Sequence, residues 1–444
     1  MSDQVRAEVA HLVRRAAFGA PPDEVDALSE LGYEGAVDAL CRFDEPDAGA
    51  ESVPAPVFDT ALYRQRAVGD ARSRRAASRQ ARRDRSALVA WWVRRMVAAD
   101  LPLREKLTFH WHDHFATSTA KVRVTELMAR QHATLHDLGV GPFRELVDAV
   151  ARDPAMLVWL DGRRNVVGRP NENFARELFE LFVLGHGAGP GGDHHGGVAG
   201  YDEVDVAEAA RALTGWRVDL VAGTSRLGER RHDAGTKTVL GRTGPLGLAE
   251  VVEVATAHPA CAPHVTAGLW SRLARPAGPE DPVVLELAAP FAADGGDIAA
   301  LVRRILVHPE FRAEASRQRL VRSPVEHLVG LSRTLRVEVE DDALTSLVEQ
   351  GQVPFAPPDV DGWPAGAAWL STATARSRLS VAGRMAAVAA PELADPGPSG
   401  RPVLLARLLG VERWSPATAS SLSAAPDLVS ALTLAAVAPE YVVC

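Results

Sequence analysis

Two stretches of the chain concentrate residues that can do chemistry: 104–115 (REKLTFHWHDHF) and 169–185 (RPNENFARELFELFVLG). Both read as helices, and both set His, Asn and Glu among large apolar residues. In the first, Leu103, Leu107, His110 and His114 fall at i, i+4, i+7 and i+11, a single helical face. Side chains four apart are neighbours on a helix, so His110 and His114 can share one divalent metal such as zinc or iron. His112 projects to nearly the opposite side. The protease signature HExxH is absent, because the residues between the two histidines are Trp111, His112 and Asp113. The alternative is structural: each histidine is a core residue hydrogen-bonded to a backbone carbonyl or a carboxylate.

In the second stretch Phe174, Leu178, Leu181 and Phe182 form an apolar stripe. Asn173, Glu177 and Glu180 form a narrow polar one, joined by Arg176 and flanked by Phe179 and Val183. Buried carboxylates must be paired, hydrogen-bonded or metal-bound. The plain alternatives are an Arg176–Glu180 ion pair and a capping role for Asn171. If the helices pack, His110, His114, Glu177 and Glu180 converge on a metal; His112 and Asn173 are further catalytic candidates. Without a metal, Glu177 or Glu180 serves as general base and His110 or His114 as its acid partner. The spacing is not the Glu-x-x-His pair of carboxylate-bridged bundles.

Elsewhere, His232, Asp233 and Lys237 lie in HDAGTK. Lys237 there offers a cation for an anionic substrate group, or Asp233 and Gly235 simply shape a turn. Trp363 and Trp369 wall a pocket or fill the core. His194 and His195 sit in a glycine-rich run that lacks the phosphate-loop pattern. No Ser or Cys has an elbow-like context, so nucleophilic hydrolase chemistry has no support.

The elements that must position these residues are helical. Of 444 residues, 47% are hydrophobic and only 6% aromatic. Ala, Leu and Arg, all strong helix formers, are abundant. The predicted class is all-α: one large helical domain over 1–387 with a small hairpin insertion at 216–245. An Ala/Pro-rich tail over 388–444, with short helices near 401–409 and 425–437, is expected to pack loosely. Helices are predicted at 3–18, after Pro21-Pro22, from Tyr33, at 122–138 and on each side of Asp153-Pro154. Residues 58–99 read as one long helix, whose strongly basic first part is a solvated arginine face or a phosphate-binding patch. GQVPFAPPDVDGWPAGAAWLS, with its prolines and glycines, is an ordered loop, because Phe355, Trp363 and Trp369 need burial.

The net charge of −8 argues against generic nucleic-acid binding. Cys41, Cys261 and Cys444 form no CxxC pair, which argues against a thiolate zinc site or a disulfide framework. No stretch approaches the ~20 apolar residues needed to span a bilayer. The first residues carry no apolar export core, so as written the protein is expected to be soluble and cytoplasmic.

Several of these stretches resemble the bacterial domain-of-unknown-function family numbered 1800. They are HLVRRAAFG, REKLTFHWHDHFATS, RPNENFARELFELFVLG, GYDEVDVAEAARALTGW, HDAGTKTVLG, RSPVEHLVG and GQVPFAPPDVDGWPAGAAWLS, in that family's order. The resemblance implies no activity, since none is established for the family. It implies that many relatives are exported and are encoded beside proteins resembling sulfatases and alkaline phosphatases, which makes such a protein an expected partner. The absent export core and the Arg-rich 64–85 segment depart from that pattern. Two functional readings stay open: a metal-dependent hydrolase or oxidoreductase cleft, or a non-catalytic scaffold or binding protein in which the same polar residues fix helix register.

Overall fold

The computed structural model describes residues 3–58, 70–186 and 200–444. It is mainly α-helical, as the composition predicts. The insertion is two short antiparallel hairpins instead of one: Trp216–Asp219 pairs with Thr224–Leu227, and Lys237–Val239 with Arg242–Gly244. The basic helix spans Ala71–Ala98, with Asp70 accepting from the Ser73 amide at its start. Residues 59–69, the head of the longer predicted helix, and the loop carrying His194 and His195 lie outside the described residues.

The Pro102–His114 helix is buried on nearly every side. Leu103, Leu107 and Trp111 join one apolar core, formed largely by the chain up to Phe311. Phe109 points the other way, into a second core with Trp92, Phe355 and Trp363. Sequence spacing sets the Leu103, Leu107, His110 and His114 stripe inward and His112 nearly opposite it. With a core on each side there is no outward face, so His112, which spacing set opposite His110, is as buried as its neighbours. Pro324–Leu335 is the second helix of this kind, buried from Pro324 to Thr334.

Glycine lets that second helix come close to the chain start. Phe18 and Gly19 turn through positive φ of 63° and 140°. A Cβ on Gly330 would fall 2.4 Å from the Phe18 carbonyl oxygen and 2.5 Å from an Arg322 nitrogen. The Arg322 guanidinium donates to that same carbonyl at 2.6 Å.

The expected loose tail is instead packed. Leu428–Val437 lies against Thr372–Ala389 and contributes Ala431, Leu432 and Ala435 to the second core. The tail also repeats an earlier unit, 130 residues on. Asp297 caps Ile298–Val307, which breaks at His308-Pro309 into Pro309–Arg312; Asp427 caps Leu428–Val437, which breaks at Ala438-Pro439 into Pro439–Val442. The aromatic residues at matching positions, Phe311 and Tyr441, are both buried. The Asp3–Ala16 helix reaches the backbone at both, with His11 on the Phe311 carbonyl (3.2 Å) and Arg14 on the Tyr441 carbonyl (3.2 Å). A tail that supplies half of this clamp cannot be loose.

Gly330→Ala tests the close approach. The added methyl meets backbone oxygen, which cannot rotate away, so the expected cost is about 1–3 kcal/mol of unfolding free energy. A urea midpoint equal to wild type would show that the contact yields freely.

Candidate functional site

Between the Pro102–His114 and Pro324–Leu335 helices lies a cavity of about 330 Å³. His110, Asp113, His114 and Lys106 face it from the first helix, and Glu326 from the second. Arg272 comes from the Cys261–Leu273 helix. Arg14 and Arg15 come from the Asp3–Ala16 helix, and Arg319 and Arg322 from the strand-like run before Ser323. The Pro/Gly loop contributes Asp361 and Trp369. The lining therefore holds six cationic residues against three carboxylates: Asp113, Glu326 and Asp361.

Two of those cations are used up. Lys106 is paired with Glu326, and Arg272 with Asp113. Burial pushes the Glu326 carboxyl up, but Lys106 and Arg272 together hold it far below the usual carboxylate range. Asp113 also accepts from the Trp363 amide at 2.9 Å; burial nonetheless lifts its carboxyl above its ordinary value, against the pull of Arg272.

The remaining cations lack carboxylate partners among the described residues. Arg14, Arg15 and Arg322 are 9%, 1% and 2% exposed, and all three donate to carbonyls: Arg14 to Glu440 (2.8 Å), Arg15 to Ser316, Arg322 to Phe18 and Tyr441. Arg15 keeps Nε and Nη1 without a partner, and Arg14 its Nε. Burial, then the Arg322 charge, pushes the Arg14 guanidinium down to about 10. Buried charge without a carboxylate opposite it is costly, so this wall keeps an excess of positive charge in the interior.

The histidines of the expected metal pair part ways. His114 Nε2 is bonded to the Phe182 carbonyl at 2.9 Å. That carbonyl is free because it lies in the last turn of the helix, which runs as α over Glu172–Glu177 and as a π-helical turn over Leu178–Val183. The last carbonyls of a helix have no partner within it. His264 takes the neighbouring one, Leu181, at 3.0 Å. His110 has no hydrogen-bond partner among the described residues and borders the cavity; burial, then Arg272, His114 and Lys106, keep it neutral. The rings of His110 and His114 stand 5.9 Å apart. Among the described residues, no three His, Cys, Asp or Glu side chains are grouped to hold a metal ion. The expected zinc or iron pair thus gains no third ligand of these types among the described residues. One histidine is spent on backbone, and the cavity wall is already cationic.

The other expected residues sit elsewhere. Glu177 and Glu180 do not line the cavity. Glu177 lies near Asp359 and Asp361 of the Pro/Gly loop, and burial and then Glu180 raise its carboxyl. Glu180 is 3.5 Å from Arg176, the plain ion pair, although Arg176 binds Glu203 more closely at 2.7 Å. Asn173 is exposed, and its amide donates to the Asn171 cap. His112 Nε2 accepts from the Phe355 amide at 2.9 Å, which anchors the Pro/Gly loop. Lys237 is buried in its hairpin, donating to the Gly235 and Leu246 carbonyls at 2.9 Å each. Asp233 accepts from the Gly235 amide and shapes the turn. Of the two tryptophans, Trp369 lines the cavity and Trp363 does not.

Sequence spacing missed most of the wall: Arg14, Arg15, Arg272, Arg322, Glu326 and Cys444. One signal was present. Arg15 follows Leu12 by three residues and so shares its buried stripe, an unusual place for a guanidinium.

Fold and cavity together define a mainly helical protein with an internal arginine-rich site. The model of the family described as "Protein of unknown function (DUF1800)" matches residues 11–443, and the chain belongs to that family. No curated protein and no solved structure matches it. No helix among the described residues is long and apolar enough to cross a membrane.

Acid should unfold the protein through its buried imidazoles. Burial pushes His112, His114, His132 and His327 each down to about 3. The unfolded chain takes up protons at these positions near pH 6.5. Between pH 6.5 and 3 the unfolded state holds more protons, so stability falls as pH falls, by up to about 1.4 kcal/mol per pH unit for each histidine. His114→Asn should flatten that slope by one proton. Urea midpoints at pH 7, 6 and 5 check this; an unchanged slope would mean that His114 is charged in the folded state.

Proposed function

We propose that the protein recognises a small oxyanion, a carboxylate, phosphate or sulfate group, in the cavity beside the Pro102–His114 helix. One observation carries the reading: the buried Arg15 guanidinium borders the cavity with two nitrogens unpaired. Buried donors without acceptors cost roughly 1–3 kcal/mol each. A ligand oxygen removes that cost, and a planar guanidinium suits carboxylate and phosphate oxygens. His110, neutral and unbonded at the cavity edge, is the group free to give or take a proton from the bound molecule. Glu177 and Glu180, off the cavity, are left out of this reading, as is a bound metal.

Isothermal titration with inorganic phosphate, sulfate and citrate tests it. Saturable one-site binding is expected with at least one of them, weakened at least 10-fold in Arg15→Gln. Arg319→Gln changes an exposed cation of the same wall and should weaken binding without a folding defect. Absence of saturable binding to wild type, or affinities equal in wild type and both variants, overturns the reading.

A second reading, a scaffold without catalysis, is favoured by a different observation: His112, His114 and Lys237 all bind backbone groups. It makes His114→Ala costly by about 1–3 kcal/mol, since the Phe182 carbonyl is orphaned. Glu177→Gln, which removes no hydrogen bond seen here, should leave the melting temperature within a degree or two. Equal, small effects from both would count against a structural role for His114.

A further inference from the structure

Cys444 stands where two cavities meet. It borders the cavity described above and also a second, of about 710 Å³, on the outer side of the Asp3–Ala16 helix. Arg14 and Arg319 border both as well, so these three residues form the partition. The outer chamber is itself cationic, with Arg312, Arg317 and Arg413 outnumbering Glu314 and Glu412.

The surroundings of this sulfur differ from those of the other two thiols. Cys261 is buried among apolar side chains, and burial pushes its thiol up to about 12. Cys41 is likewise pushed up to about 12, chiefly by burial. Both are held as thiols. Cys444 is 7% exposed, yet Arg15, Arg322 and Arg14 outweigh its burial and hold its thiol below the ordinary value. The thiolate, not the thiol, is the nucleophile, and adjacent cations favour it. A second observation is independent of the sulfur's charge. Arg15 Nε, Arg15 Nη1 and Arg14 Nε are buried donors with no oxygen or nitrogen acceptor, and the Arg15 side chain hydrogen-bonds toward Cys444. Spare donors beside a sulfur provide for oxygen on that sulfur.

We propose that Cys444 is a peroxide-reactive cysteine, oxidised to a sulfenate that the spare Arg15 and Arg14 N–H groups hold. The thiolate attacks one oxygen of a hydroperoxide. The S–O bond forms as the O–O bond breaks, the sulfur loses two electrons to the peroxide, and the departing alkoxide or hydroxide takes up the proton that the new S–OH group gives up. The products are a sulfenic acid, ionised among the guanidiniums, and an alcohol or water. The step shares Arg15 with the oxyanion reading but does not depend on it, since the peroxide is neutral and no other anion takes part.

The test uses the full chain without added anions. Protein at pH 7 is treated with one equivalent of hydrogen peroxide in the presence of dimedone, then digested and mapped by mass spectrometry. The expected result is a dimedone adduct on Cys444, with Cys41 and Cys261 at least 10-fold less labelled. In parallel, iodoacetamide labelling against pH should give Cys444 a midpoint below the ~8.5 of a free thiol and at least 10-fold faster labelling at pH 7 than the other two. Arg15→Gln should slow both reactions; the wild-type ranking of the three cysteines stands as the test even if that variant folds poorly. Labelling of Cys444 no faster than that of Cys41 and Cys261, or an ordinary thiol midpoint, overturns the proposal. Phosphate, sulfate and citrate titrated into Cys444→Ser report on the oxyanion site separately, because that variant retains Arg15 and has no sulfur to oxidise.

Discussion

The structure hangs on charge pairs set in its interior, where water screens them only weakly. Lys106 meets Glu326, and Arg272 meets Asp113, between helices buried along almost their whole length. Such pairs add little net stability over an apolar contact of the same shape, but losing one partner is expensive. Their effect is on register. A helix buried on both faces has no amphipathic stripe to fix its rotation, and a lysine that must find one glutamate does fix it. With Lys106 held, His110, Asp113 and His114 follow at helical spacing along the cavity wall.

Histidines crowd the centre of the molecule for a related reason. A neutral imidazole carries one donor and one acceptor, which suits it to single backbone groups that regular structure leaves over. The helix that ends at Val183 leaves carbonyls of its last turn free, and His114 and His264 take two of them. The Pro/Gly loop needs an acceptor at the Phe355 amide, and His112 supplies it. Sequence spacing placed His110 and His114 side by side, and they are. It could not tell that one would be bonded to backbone and the other left facing a cavity.

The arginines near the chain start work as bridges across long sequence distances. His11, Arg14 and Arg15 bind backbone carbonyls of the Phe311, Tyr441 and Ser316 region, about 300 and 430 residues away along the chain. Two copies of one helix-break-helix unit receive them. The copies share only an aspartate cap and a Pro-Glu-aromatic step, too little identity to stand out in the sequence. The clamp leaves unpaired nitrogens on Arg14 and Arg15, which is the price of joining a second chain segment through carbonyls that do not satisfy every donor.

Local chemistry was legible in the sequence. Helix formers, prolines and caps set most helices close to where they lie: Pro22 and Pro102 at starts, Asn171 as a cap, Gly185 as a stop. The ordered Pro/Gly loop followed from three aromatics that had to be buried. Each of these depends on residues within a few positions of one another. The site did not follow. Glu177 and Glu180 shared a polar stripe but point toward Arg176 and the loop, while the carboxylates that reach the cavity are Asp113, Glu326 and Asp361. Which side of a helix is buried is a local property; which distant charge it meets there depends on how both cores close around it. Only the tertiary structure decided that, because a buried ion chooses its partner by proximity in the packed interior, and helical periodicity carries no information about what lies across the gap.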